Sequence, residues 1–136
     1  MLQEKQFSLL LFSVAGKKFF IDINSLEEII PYQAVSRLPG SPDKITGITN
    51  YRGQIIGIFD LPKILELPED KDRKSRIIVV KNNKEKFGLA VSRVFEVAYI
   101  NKEAIKKSYG MFAFIASFNG EEIEVLNPAK ISQEEK

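Results

Sequence analysis

The amino-acid sequence predicts an all-β protein with minor helix, folded as two small antiparallel barrels, and three observations predict it. The first is that the chain is written twice. ITNYRGQIIGIFDLPKI, from Ile48, aligns without a gap on IASFNGEEIEVLNPAKI, from Ile115. Tyr51 falls on Phe118, Arg52 on Asn119, Gly53 on Gly120 and Asp60 on Asn127; upstream, KFFIDINSLEEI from Lys18 aligns on KFGLAVSRVFEV from Lys86. The second is that short apolar runs in both copies are punctuated by Gly, Asn and Pro, the pattern of barrels rather than of an α/β sheet. The third is size: 136 residues with 44% hydrophobic content suit one domain over 1–136. A half of that length has a thin core. The approximate repeats 1–68 and 69–136 are therefore expected to pack on one another, with terminal strands exchanged between the barrels.

FSLLLFSV (7–14) is apolar on both parities, which suits a strand buried on both faces. Ala15-Gly16 makes a turn, and KFFIDI then alternates, with Phe19, Ile21 and Ile23 on one side. Asn24, with Glu27 three residues on, reads as the cap of a short helix ended by Pro31. RLPGSPDK (37–44) is a loop. Strands 45–51 and 54–59 form a hairpin with Arg52-Gly53 at its tip, after which Asp60 caps LPKIL with Pro62 in the first turn. The charged run EDKDRK (69–74) marks the midpoint. In the second copy come strands 76–81, 86–92 and 95–100, a helical turn near 102–105, and strand 112–118. Asn119-Gly120 is a strong hairpin signal; strand 121–126 follows, and Asn127 caps a last turn before the polar tail.

A net charge of +2 is too weak to imply a polyanionic partner. With no cysteine and no histidine, disulfide frameworks, thiolate or imidazole zinc sites and histidine-dependent triads are excluded. No cofactor or metal site is expected. No apolar stretch approaches membrane-spanning length and no leader pattern stands at Met1, so the chain reads as cytoplasmic, without membrane insertion.

Where two copies of one fold differ, the fold does not demand the difference. The tip of a two-residue hairpin favours positive φ, comfortable for Asn119 and not for Arg52. A planar five-donor head at a misfit position suits bidentate contact with a partner carboxylate. Asn50 reads as holding Arg52 or as capping a backbone group, a structural role in the second case. Glu28, placed at the end of the supposed helix, faces an unfavourable macrodipole, which also points to a partner; its counterpart Glu96 allows a fold-level role instead. Gly47 interrupts a strand, as a bulge or a close backbone approach does. Phe112, Phe114 and Phe118 alternate as a core face does, and the lysines at 84, 86, 106 and 107 lie on turns.

GITNYRGQIIGIFDL (47–61) resembles the GVxNLRGxIxPVxDL signature of the CheW family of chemotaxis coupling proteins. SLEEII, the central RIIVV, FGLAVSRVFEV and the Asn-Gly hairpin agree in order and spacing. The resemblance implies two five-stranded SH3-like barrels about a pseudo-twofold axis and a non-catalytic adaptor. Its partners would be the regulatory domain of the histidine kinase CheA and the cytoplasmic tip of a chemoreceptor, at membrane-associated arrays. By position it assigns Arg52, Glu28 and Asn50 to partner contact, with Leu26 and Gly47 shaping the adjoining surface. Tyr51 departs from the usual leucine, Gly57 from proline and Ser92 from aspartate, and the stretch 106–111 is short. The family also contains paralogues serving other sensory or motility pathways. Two rival readings are a small-barrel nucleic-acid binder, which needs exposed stacking aromatics, and an enzyme, for which no acid/base or nucleophile constellation is present.

Overall fold

A computed structural model describes residues 6–68, 72–108, 110 and 112–133. Residues 69–71 of the expected linker 69–74, Tyr109 and Met111 of the short 106–111 stretch, and the tail beyond residue 133 lie outside the described residues. In chain order the strands are β1 (Gln6–Val14), β2 (Lys17–Asp22), β3 (Leu26–Pro31), β4 (Ile45–Tyr51), β5 (Gln54–Phe59), β6 (Arg76–Asn82), β7 (Glu85–Val91), β8 (Arg93–Asn101), β9 (Ile105–Lys107), β10 (Phe112–Phe118) and β11 (Glu121–Leu126). Two short helices, α1 (Leu61–Ile64) and α2 (Pro128–Gln133), follow β5 and β11.

The strands form two sheets that mix the sequence copies. One runs β8-β1-β2-β11-β10-β9 and the other β3-β6-β7-β5-β4. The first two strands of each copy thus sit in the wall formed by the later strands of the other. Parallel pairing of Val125 with Phe20 and of Gly57, Ile58 and Phe59 with Phe87, Gly88 and Leu89 ties the copies together. Each wall bends back on itself. Beyond β3 the chain reaches β4 through Ser36, whose amide and carbonyl each bond Ile48 at 2.8 Å. Beyond β8, a turn of 3-10 helix at Lys102–Ala104 leads into β9, which pairs with β10.

Three apolar clusters follow from this exchange. Leu9, Leu11, Phe20, Ala98, Ile100, Ala116, Ile123 and Val125 fill one barrel, and Tyr51, Ile56, Ile58, Ile77, Val79 and Ala90 fill the other. Between the barrels lies the largest, in which Leu10, Phe12, Val14, Phe19 and Ile21 meet Ile78, Val80, Phe87, Leu89 and Val91. Because β-strand side chains alternate, β1 and β6 each feed a barrel interior from one face and the shared layer from the other. That accounts for the two-sided apolar pattern of 7–14.

The sequence reading of 24–31 needs correction. Only Ile23–Ser25 forms a single 3-10 turn, and its cap is Asp22, whose carboxylate accepts from the Asn24 amide at 2.8 Å. Residues Leu26–Pro31 are strand β3, paired with β6, because alternating burial and the ladder to Ile77 and Ile78 outweigh a marginal local helix signal. Glu28 therefore does not lie at a helix end, and the macrodipole argument for it falls. Phe19 and Ile21 share the face toward the central layer, as read, while Phe20 on the other face is also fully buried, in a barrel interior. The caps stand as read, with Asp60 accepting from the Lys63 amide at 3.2 Å and Asn127 from the Ala129 amide at 3.1 Å. At Gly57, where the family pattern has proline, β5 is paired to both Ile48 and Phe87. The three phenylalanines of β10 pack on Phe19, Phe7 and Phe20, at 6.2, 5.5 and 5.6 Å between centroids, and offer no stacking platform.

Where Phe20 fills one barrel, its repeat counterpart Gly88 leaves space in the other that neighbours already use. A methyl at Gly88 would lie 2.6 Å from Cδ1 of Ile58 and 2.8 Å from Cγ2 of Ile77, both fully buried. Gly88→Ala is expected to lower unfolding free energy by about 1–3 kcal/mol in a denaturant titration, with the fold retained.

Candidate functional site

The β4–β5 tip adopts the conformation that the sequence disfavours for arginine. Arg52 and Gly53 have φ of 48° and 81°, and Asn119 and Gly120 in the other copy have 50° and 79°, so the two hairpins turn identically. Asn50 stabilises the turn, its side-chain oxygen accepting from the Gly53 amide at 3.1 Å. Of the two roles open to Asn50, holding Arg52 or capping a backbone group, the geometry shows the second.

Around the tip runs a row of alternating charge. Nε of Arg52 donates to Oε1 of Glu28 at 2.8 Å, and the guanidinium carbon lies 5.8 Å from the Tyr51 ring centroid. The Tyr51 hydroxyl lies 2.8 Å from that same Glu28 oxygen and 2.8 Å from Oε2 of Glu27. Lys86, on β7, closes the row at 3.1 Å from Glu27. Neighbouring residues on a regular strand face opposite ways, so Glu27 and Glu28 should not reach one phenol. A bulge in β3 between Leu26 and Glu28 removes the obstacle by leaving Glu27 as an extra residue and re-aiming it.

Burial grades outward along the row. Tyr51 is 4% exposed, the side chains of Glu27 and Glu28 are 25% and 33% exposed, and that of Arg52 is 70% exposed. The hydrogen bond from Tyr51, then Lys86, holds the Glu27 carboxyl below the usual carboxylate range. Arg52, then Tyr51, does the same for Glu28. Burial, reinforced by the two carboxylates, pushes the Tyr51 phenol up to about 12. Arg52 is held more firmly protonated by Glu28.

The remaining expected residues serve packing. A methyl at Gly47 would collide with the carbonyl oxygen of Ser36 and the side chain of Val35, so this glycine admits a close backbone approach. The seam is reinforced by Gln33, whose amide donates to Oγ1 of Thr49 at 2.9 Å while Thr49 donates to the Ala34 carbonyl at 2.9 Å. Leu26 is half-buried against the central apolar layer. Among the described residues no three Asp or Glu side chains converge as metal ligands do, and no helix is long and apolar enough to cross a membrane. The Ser92 hydroxyl is buried and makes no hydrogen bond among the described residues.

Sequence reasoning brought out Arg52 and Glu28, which the structure joins, but missed Glu27 and Lys86 and treated Tyr51 only as a departure. The available signal was the pairing of Tyr51 with Phe118, an added hydroxyl where the repeat is content with a ring.

Residues 8–136 match the CheW-like domain. The chain belongs to the CheW-like family. Chemotaxis protein CheW of Klebsiella aerogenes is 33% identical over 98 residues, which are 71% of this chain and 59% of that protein. Its namesakes in Thermotoga maritima and Bacillus subtilis are each 29% identical over 101 residues, 74% of this chain and 67% and 65% of theirs. The chain thus spans roughly three fifths to two thirds of these curated relatives. The solved structure of the scaffolding protein TtCheW from Thermoanaerobacter tengcongensis superposes with a TM-score of 0.82 at 28% identity, over 89% of this chain and 88% of that one. The two walls described above are accordingly the two SH3-like barrels of this family.

Stability conferred by a raised phenol pKa is fully present below the ordinary tyrosine value of 10.0 and is lost as pH rises through about 12. For the two depressed carboxyls the direction is opposite, and their contribution fades as acid drives pH through their folded values. Alkaline ultraviolet titration should show a tyrosine ionising near 12, and Tyr51→Phe should abolish that phase.

Proposed function

We propose that this CheW-like chain is a non-catalytic coupling adaptor, joining the cytoplasmic tip of a chemoreceptor to the regulatory domain of a CheA-type histidine kinase. Membership of the family supports this reading, as do relatives named for chemotaxis and a structural neighbour named as a scaffold. One observation carries it furthest. Arg52 is set in a backbone conformation that arginine rarely adopts, is held through Nε, and keeps 70% of its side chain in solvent.

That arrangement suits a directional contact. A guanidinium held by one nitrogen still offers its outer nitrogens as a planar fork, matched to a carboxylate on the receptor tip. Glu28 and Asn50 take part as the acceptor and the turn brace, while Gly47 and Leu26 fix the backbone and apolar layer behind them. Ile55, 64% exposed at the start of β5, adds apolar area beside the tip. The kinase regulatory domain, itself of related fold, is met through barrel-end contacts. Individually modest contacts of this type gain strength when receptor, adaptor and kinase assemble in an array. The protein works in the cytoplasm at membrane-associated receptor arrays and performs no reaction of its own.

Arg52→Asn tests the reading cleanly, because asparagine is the residue that the second copy uses in the same turn. The melting temperature should stay within about 2 °C of the parent. Affinity for a receptor-tip fragment should fall about tenfold in a calorimetric titration. Unchanged affinity would rule out Arg52 as the receptor contact.

A further inference from the structure

The deepest group in the charged row is the one that a surface contact would not need. Arg52 and Glu28 alone would make an exposed ion pair, and such pairs are weakly ordered because two long side chains must be held in one geometry. Tyr51 changes that. Its ring is fixed among Ile56, Ile58, Ile77 and Val79, so its hydroxyl stands at a defined point beneath Glu28. It meets the same Oε1 that accepts from Arg52.

A phenol carries a single hydrogen, and two carboxylates lie equally close to it. Each carboxylate also has its own cation, Lys86 at 3.1 Å from Glu27 and Arg52 at 2.8 Å from Glu28, so the hydroxyl bridges the two acids and its bond to Glu28 lies in line with the Arg52 contact. The repeat provides an internal comparison. In the second copy the acid persists as Glu96, but Phe118 stands for Tyr51, Phe95 for Glu27 and Asn119 for Arg52. Hydroxyl, extra carboxylate and guanidinium occur together in one copy and are absent together from the other.

We infer that Tyr51 is a positioning residue for partner recognition: its hydroxyl pins the Glu28 carboxylate, which in turn orients the Arg52 guanidinium with its outer nitrogens toward solvent. The inference rests on the reading of Arg52 as a partner contact. Its role is to pre-organise the fork, so that the partner need not order it on binding.

The test is Tyr51→Phe, which keeps the buried ring and removes one oxygen. In the free protein, nuclear magnetic resonance of the Arg52 Nε–H group should show hydrogen exchange at least about threefold faster, as the loosened carboxylate releases it. In titrations with a receptor-tip fragment, the variant should bind about three- to tenfold more weakly. Added to Arg52→Asn, it should cause no further loss, because its effect passes through Arg52. Parental affinity in Tyr51→Phe, or an equal loss on the Arg52→Asn background, would overturn the inference. If Arg52→Asn itself binds like the parent, the partner-contact reading fails. Nε–H exchange then decides positioning alone, and an unchanged rate in Tyr51→Phe overturns that as well.

Discussion

Everything in this molecule depends on the apolar layer between the two barrels. Each barrel has a modest interior of its own, and the shared layer built on Phe12, Phe19, Leu89 and Val91 is the largest continuous burial. At roughly 25 cal/mol per Å² of apolar surface removed from water, such a layer dominates the favourable side of folding. It exists because strands β1, β2, β6 and β7 are walls on one face and filling on the other. Close packing of such a layer stiffens the body from which the hairpins project.

The Arg52 hairpin uses that rigidity. Its φ values match those at Asn119, so the turn is supplied by the fold and the guanidinium is an addition to it. Support comes from three strands at once, with Tyr51 on β4, the two acids on β3 and Lys86 on β7. A charged group at a loop tip usually owes little to the scaffold. Here the chain of contacts runs from a residue 4% exposed to one whose side chain is 70% exposed, in a single row.

Much of this was legible in the amino-acid sequence, for identifiable reasons. The doubled pattern, both hairpins and the caps at Asp60 and Asn127 are local, and local chemistry decides them. Apolar residues on both parities of 7–14 announced a strand with two buried faces. Residues 26–31 were misread because LEEIIP after Asn24 satisfies a helix signal, while the decision belongs to a distant strand, β6. For the same reason the site was only half visible. No periodicity reveals that a bulge turns Glu27 toward Tyr51, or that Lys86 arrives beside it from the far side of the midpoint.

The exchange of strands also bears on how the chain is made. β1 finds its neighbour in β8 and β2 in β11, so the β1–β2 hairpin has no lasting berth until β8 to β11, much later in the chain, have been made. Phe12, Phe19, Phe20 and Ile21, all destined for complete burial, stay uncovered throughout that wait. Closure across such separations is slow by its topology. A nascent chain of this design keeps apolar surface open for longer than one whose strands pair in order, and open surface of that kind is what promotes aggregation.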